Sequence, residues 1–195
     1  MRKISSVILL CLAVMLTGCG GSAARESFED FSKSLNEETA LCFTARVRAE
    51  YDDRTADFTL DYTQDENGCV VSVVSPEMIR GVSAHITADE TALEYDGIML
   101  DTGTLDSFGL SPMSALPLLV ETMKSGYLDT AWEENDALCA VLVPSDNLSI
   151  ELRLDKYTKT PLYAEISSNG RVRVFAEISA WSPTGTLIDD TIYSN

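Results

Sequence analysis

From residue 41 onward the chain alternates. In residues 41–51, LCFTARVRAEY, the apolar Leu41, Phe43, Ala45, Val47, Ala49 and Tyr51 fall on one side, and Arg46, Arg48 and Glu50 fall on the other. A period of two over such a run is the mark of a strand with one buried face. Ala56, Phe58, Leu60 and Tyr62 repeat the pattern against Asp57, Thr59 and Asp61, with Asp52-Asp53 as the turn between the runs. Asp65-Glu66-Asn67-Gly68 is a hairpin turn feeding CVVSVVS. Pro76 and Gly81 then break the chain before VSAHITA, and Asp96-Gly97 turns TALEYD into Ile98-Met99-Leu100. Further runs follow at ALCAVLV, LSIELRLD, LYAEIS and RVRVFAEISAW, the last entered through Asn169-Gly170. Nine or so strands on short turns predict an antiparallel meander.

Two stretches follow a different period. Phe28, Phe31 and Leu35 lie three and four apart in residues 25–38, one apolar stripe on a short helix. Between the two groups of strands, Ser111-Pro112 is a helix start, with Ser as cap and Pro in the first turn. Leu116, Leu119, Val120 and Met123 follow, and Gly126 is the stop. This second helix is nearly apolar all round, which predicts burial. The expected architecture is α+β, mainly β: one strongly curved antiparallel sheet, its concave face covered by an N-terminal helix and an inserted apolar helix. Phe43, Tyr51, Phe58, Tyr62 and Leu152 project from the inner face and are bulky enough to pack much of the space beneath that helix.

The first residues do not belong to this pattern. Arg2 and Lys3 precede an apolar segment, residues 4–15, that is too short to span a membrane, which takes about 20 residues. Leu16-Thr17-Gly18-Cys19 then matches the lipobox of bacterial lipoproteins. That resemblance implies a signal peptide over 1–18, cleaved before Cys19, and diacylglycerol on the Cys19 thiol. Residues 19–24 read as the lipidated cysteine and a short tether, and residues 25–195 as a single domain. The implied location is the cell membrane, lipid-anchored on its extracytoplasmic face.

Charge narrows the partners. The 195 residues carry 14 Lys and Arg against 31 Asp and Glu. Loss of Arg2 and Lys3 with the signal leaves 12 against 31, a net charge of −19. That balance excludes nucleic acid, which demands a basic face. Of the five cysteines, Cys11 lies in the signal and Cys19 in the lipobox. Cys42, Cys69 and Cys139 are then either small half-buried hydrophobes or include one bridged pair. With no C-x-x-C and a single histidine, neither a metal site nor a cofactor is expected.

No catalytic constellation is visible. His85 lies two residues after Ser83 on a polar strand face, and both are expected exposed and unpaired. Nucleophilic catalysis needs the hydroxyl bonded to a base that a third group orients. Asp52-Asp53, Glu133-Glu134 and Asp189-Asp190 are adjacent carboxylates in turns or near ends, not pairs converging across a cleft. The reading is of a protein that is not an enzyme.

The order of helix, strand meander, Ser75-Pro76-Glu77 followed by Gly81, two strands, buried helix and second meander resembles the LolA/LolB-type half-barrel lipoproteins over about residues 25–182. Leu93-Glu94-Tyr95-Asp96-Gly97 adds to that resemblance. The chain also resembles germination lipoproteins of the GerS-like type. The resemblance implies a half-barrel closed by helices. It also implies either a scaffold for an envelope or cell-wall partner protein, or a binder of acyl chains, lipoproteins or another hydrophobic ligand in the concave cavity. The candidate contacts for either role are Phe43, Phe58, Tyr62, Leu116, Leu119, Val120, Met123 and Leu152.

Overall fold

The computed structural model describes residues 20–87, 89–103 and 110–183. Residues 1–18, expected to be a signal peptide, Cys19 and Asp189-Asp190 lie outside the described residues. Helix α1 (Gly20–Glu37) leads into β1 (Leu41–Glu50), β2 (Thr55–Asp65) and β3 (Gly68–Ser75). A single 3-10 turn (Glu77–Ile79) follows, then β4 (Ser83–Ile86), β5 (Thr91–Tyr95) and β6 (Ile98–Gly103). Helix α2 (Pro112–Ser125) separates these from β7 (Leu128–Glu134), β8 (Ala137–Ser145), β9 (Leu148–Asp155), β10 (Pro161–Ser168) and β11 (Arg171–Ser182).

The strands form one antiparallel sheet of eleven, in the order β6-β5-β4-β3-β2-β1-β11-β10-β9-β8-β7. Every neighbour is also a neighbour in sequence, save at the centre, where β1 joins β11. The sheet is strongly curved. Helix α2 touches β1, β2, β3 and β8. In a flat sheet β3 and β8 would stand six strands apart, about 29 Å at ~4.8 Å per strand. A helix about 10–12 Å across reaches both only if the sheet curls round it. Edges β6 and β7 do not pair, so the barrel stays half open.

Alternation sets which face each strand buries. Along β1, Phe43, Ala45, Val47 and Ala49 are buried, while Arg46, Arg48 and Glu50 stand outside. The outer face is tied by cross-strand polar pairs, Thr44 Oγ1 donating to Asp61 at 2.7 Å and Arg48 Nε to Asp57 at 2.8 Å. Inside, the β1–β2 register sets Phe43 opposite Tyr62, and their rings stack with centroids 4.8 Å apart. Trp181 stacks on Phe43 at 5.3 Å.

Three expectations change here, and the alternatives left for the cysteines resolve. Helix α1 begins at Gly20, before the expected start at Arg25, so residues 20–24 are helical where a tether was expected. Ala24 is fully buried among core residues, and tertiary packing outweighs the poor helix propensity of Gly-Gly-Ser. The strands number eleven, because LDTAWEE also pairs, as β7. Tyr51 lies past the end of β1 and is 40% exposed instead of filling the interior. Its ring faces Arg54, whose guanidinium carbon sits 5.3 Å from the ring centroid. Cys42, Cys69 and Cys139 are all unbridged, with Cys42 and Cys139 buried as small hydrophobes.

One turn residue is irreplaceable by size. Gly68 closes the β2–β3 hairpin at φ +150, and a Cβ there would lie 2.3 Å from the Ile86 carbonyl oxygen. That oxygen belongs to the paired strand β4 and cannot retreat without opening the β3–β4 ladder. Gly68→Ala is therefore expected to destabilise the domain by more than about 1 kcal/mol, read as a lower urea midpoint.

Candidate functional site: the concave face and its helical plug

Local sequence decides where α2 begins and stops. Ser111 is extended (φ −106, ψ 162) and its hydroxyl accepts from the Ser114 amide at 3.1 Å. The Ser111 amide donates back to the Ser114 hydroxyl at 2.8 Å, closing a reciprocal cap. Pro112 occupies the first turn, where no amide is needed. Pro117 sits deeper and removes one helical hydrogen bond. At the far end Gly126 is left-handed, φ 69. The Ser32 hydroxyl of α1 donates to the Met123 carbonyl at 2.7 Å, which satisfies a C-terminal acceptor and joins the two helices.

The helix is buried on almost every side. Leu116, Leu119 and Met123 are wholly inaccessible and Val120 nearly so. Phe43, Tyr62 and Leu152 of the sheet belong to the same continuous buried cluster. Seven of the eight expected contacts thus come together in one core. The eighth, Phe58, is half-buried and lies at the cluster's margin.

Phe58 instead lines a cavity of about 310 Å³ between β2–β5 and the first turn of α2. Val73, Ile79, Val82, Leu93 and Met113 are among its lining residues, and the wall is nearly all apolar. Its volume is at the foot of the ~300–1,000 Å³ range of small-molecule pockets. A second, wider cleft of about 610 Å³ with a mixed wall lies beyond it, toward Gln64, Cys69, Glu90, Glu121 and Lys124. Thr91 and Ile86 line both spaces. The Thr91 hydroxyl is buried and has no hydrogen-bond partner among the described residues. Periodicity could not reveal this space, because it is what remains after side chains from six elements have packed.

Burial shifts three titratable side chains that line the wider cleft, Tyr62, Cys69 and Lys124. Burial pushes the Tyr62 phenol well above its ordinary range and raises the Cys69 thiol, so both stay protonated at neutral pH. Burial lowers the Lys124 ammonium, which is held weakly, 3.4 Å from the Glu38 carbonyl and 3.5 Å from Gln64 Oε1. Among the described residues no cluster of His, Cys, Asp and Glu has the geometry to hold a metal.

Ser83 and His85 correct the sequence reading. Both are half-buried and both have partners. The Ser83 hydroxyl lies 2.9 Å from that of Ser72, and His85 Nε2 lies 2.7 Å from Glu94 Oε2. The β4–β5 register makes His85 and Glu94 diagonal neighbours, a relation invisible until the strands are aligned. In a relay the serine hydroxyl would sit on the histidine. Here it sits on another serine.

No family model and no curated protein matches the chain. Among solved structures it is similar to a conserved protein from Thermus thermophilus, with a TM-score of 0.49 and 13% identity over 85% of this chain and 89% of that one. It is similar to a LolA superfamily protein from Nitrosomonas europaea, with a TM-score of 0.46 and 10% identity over 91% of this chain and 99% of that one. It is also similar to a chain of the Clostridioides difficile CwlD amidase in complex with the GerS lipoprotein, with a TM-score of 0.41 and 16% identity over 87% of this chain and 95% of that one. A LolA superfamily protein and a chain of a complex that contains a lipoprotein are among the solved structures it is similar to.

Proposed function

We propose that the chain is a lipoprotein held at the extracytoplasmic face of the membrane through Cys19, and that its domain works by binding, without catalysis, as a scaffold for an envelope or cell-wall partner protein. The observation that carries this reading is the plug. Leu116, Leu119 and Met123 occupy the concave face as fully buried core, where a carrier would keep room for acyl chains. A protein whose hollow is filled along this helix, with the 310 Å³ cavity left at the helix's first turn, offers its surface to partners instead. Cross-linking in intact cells of the host, followed by mass spectrometry, tests the reading. The expected result is one envelope or cell-wall protein recovered in near-stoichiometric yield. Recovery of no protein partner would contradict it.

The absence of chemistry is tested separately. His85→Ala and Ser83→Ala are expected to leave partner binding unchanged. Loss of the half-exposed His85–Glu94 pair should cost no more than about 1 kcal/mol of stability. Loss of binding in either variant, with the fold intact by circular dichroism, would contradict the reading.

A second reading has its own observation. The 310 Å³ apolar cavity suits a small apolar ligand. An N-phenylnaphthylamine probe tests it. This reading expects saturable binding of one probe per chain that weakens when Val82→Phe narrows the cavity. No saturable binding would exclude it.

A further inference from the structure

The two edges of the sheet are finished differently. Edge β7 is guarded: α1 packs along it, Arg25 donates to its Asp129 carbonyl at 2.6 Å, and Glu133 is paired with Lys156 at 2.7 Å. Charged side chains and a covering element are the usual protection of an edge against stray pairing. Edge β6 carries the opposite chemistry. Ile98, Met99 and Leu100 are 72%, 59% and 63% exposed, and Tyr95, paired with Ile98, is 53% exposed.

The hairpin geometry says how this edge is presented. Asp96 (φ 52) and Gly97 (φ 75) form a two-residue left-handed turn between Tyr95 and Ile98. In such a hairpin the flanking pair bonds inward, so the Met99 amide and carbonyl turn away from β5. Ile98, Leu100 and Tyr95 share the concave side, next to Leu93 of the apolar cavity wall, and Met99 stands on the convex side. The concave side of the edge is therefore apolar, whereas on the convex side Met99 stands opposite Glu94 and two residues from Asp101. On the neighbouring turn at the same end of the sheet, Met78 is 88% exposed.

Charge selects the occupant. With the signal removed the chain carries 12 basic and 31 acidic residues, which opposes a second copy of itself on this edge. Asp96 in the turn and Asp89 and Glu90 before β5 add carboxylates about the same hairpins. The geometry points to β5–β6 as the docking edge for an extended segment of a basic partner protein, apolar and cationic residues alternating, that adds to the sheet beside Met99. Main-chain bonding supplies affinity in such strand addition, and the side chains to either face supply selection. This rests on the scaffold reading and names the surface and chemistry through which it works.

The test uses the full lipidated chain in nanodiscs of zwitterionic lipid and a fluorescent peptide of alternating valine and lysine. Saturable binding is expected, weakened at least tenfold by the paired change Ile98→Lys and Leu100→Lys. Both positions are exposed, so the fold should survive, and Ile98→Thr with Leu100→Thr serves as a second variant of strand-forming residues without the added charge. That variant should bind better than the lysine pair. Equal binding of a valine–glutamate peptide would overturn the inference, as would unchanged binding by the lysine pair. A dimer in sedimentation that the lysine pair dissolves would also overturn it, by assigning the edge to a second copy. A lipid-free protein that ignores the peptide would sink the edge assignment alone, whereas acyl chains found in the protein would sink the scaffold reading.

Discussion

Replacing Leu119 by alanine is expected to cost the domain about 2–5 kcal/mol, the range for leucine deleted from a packed core. Leu119 is wholly buried at the centre of α2 and shares its cluster with residues from both halves of the sheet. No neighbour can close the gap cheaply. Pro117 stiffens the helix on one side, and the Ser32 bond to the Met123 carbonyl pins it on the other. For a domain of this size the loss corresponds to a melting temperature roughly 4–20 °C lower. Met78→Ala, at an exposed turn, is the matched control and should change stability by no more than about 0.5 kcal/mol. A Leu119→Ala protein as stable as the parent would mean that the helix is a loose lid and not core.

The second large effect is one of location. Cys19→Ala is expected to abolish membrane attachment through lipid, because no other residue of the lipobox has a thiol to accept diacylglycerol. Each buried methylene of an acyl chain adds about 0.8 kcal/mol of membrane affinity. Losing the chains therefore removes attachment through lipid, though an uncleaved precursor keeps its apolar residues 4–15. Palmitate label should disappear from the protein, which should be found unprocessed or in the soluble fraction. Label retained by the variant would end the lipoprotein reading. Because α1 starts at Gly20 and Ala24 is already core, moving the lipobox five residues upstream by a Gly-Ser insertion should leave the fold intact while loosening the domain from the bilayer.

Periodicity carried most of the architecture. Strands such as β1 and β9, with apolar and polar residues on strict alternate positions, were legible because each buries one face. Helix α2 was legible because its cap, its apolar girth and its glycine stop agree with one another. Strand β7 was hidden because only Ala131 of its seven residues is buried, so an edge strand under a helix shows no alternation. The start of α1 was hidden for the opposite reason: Gly-Gly-Ser has the composition of a linker, and the burial of Ala24 is a tertiary fact. Of the candidate contacts, those on the plug and the central strands were readable as core. Phe58 was misplaced because alternation assigns it to the inner face but does not say whether that face is filled at the level where it sits. The Thr91 hydroxyl, the His85–Glu94 pair and the exposed β6 edge depend on register, which no single strand encodes.

The central claim is that the concave face is filled by the chain's own helix. Mass spectrometry of the organic extract of the folded protein, purified without detergent from its bacterial host after release from the membrane by cleavage before residue 20, tests it most directly. The expected result is no acyl ligand beyond trace amounts. One acyl chain or lipid per protein molecule at near-full occupancy would contradict the claim and make the half-barrel a carrier.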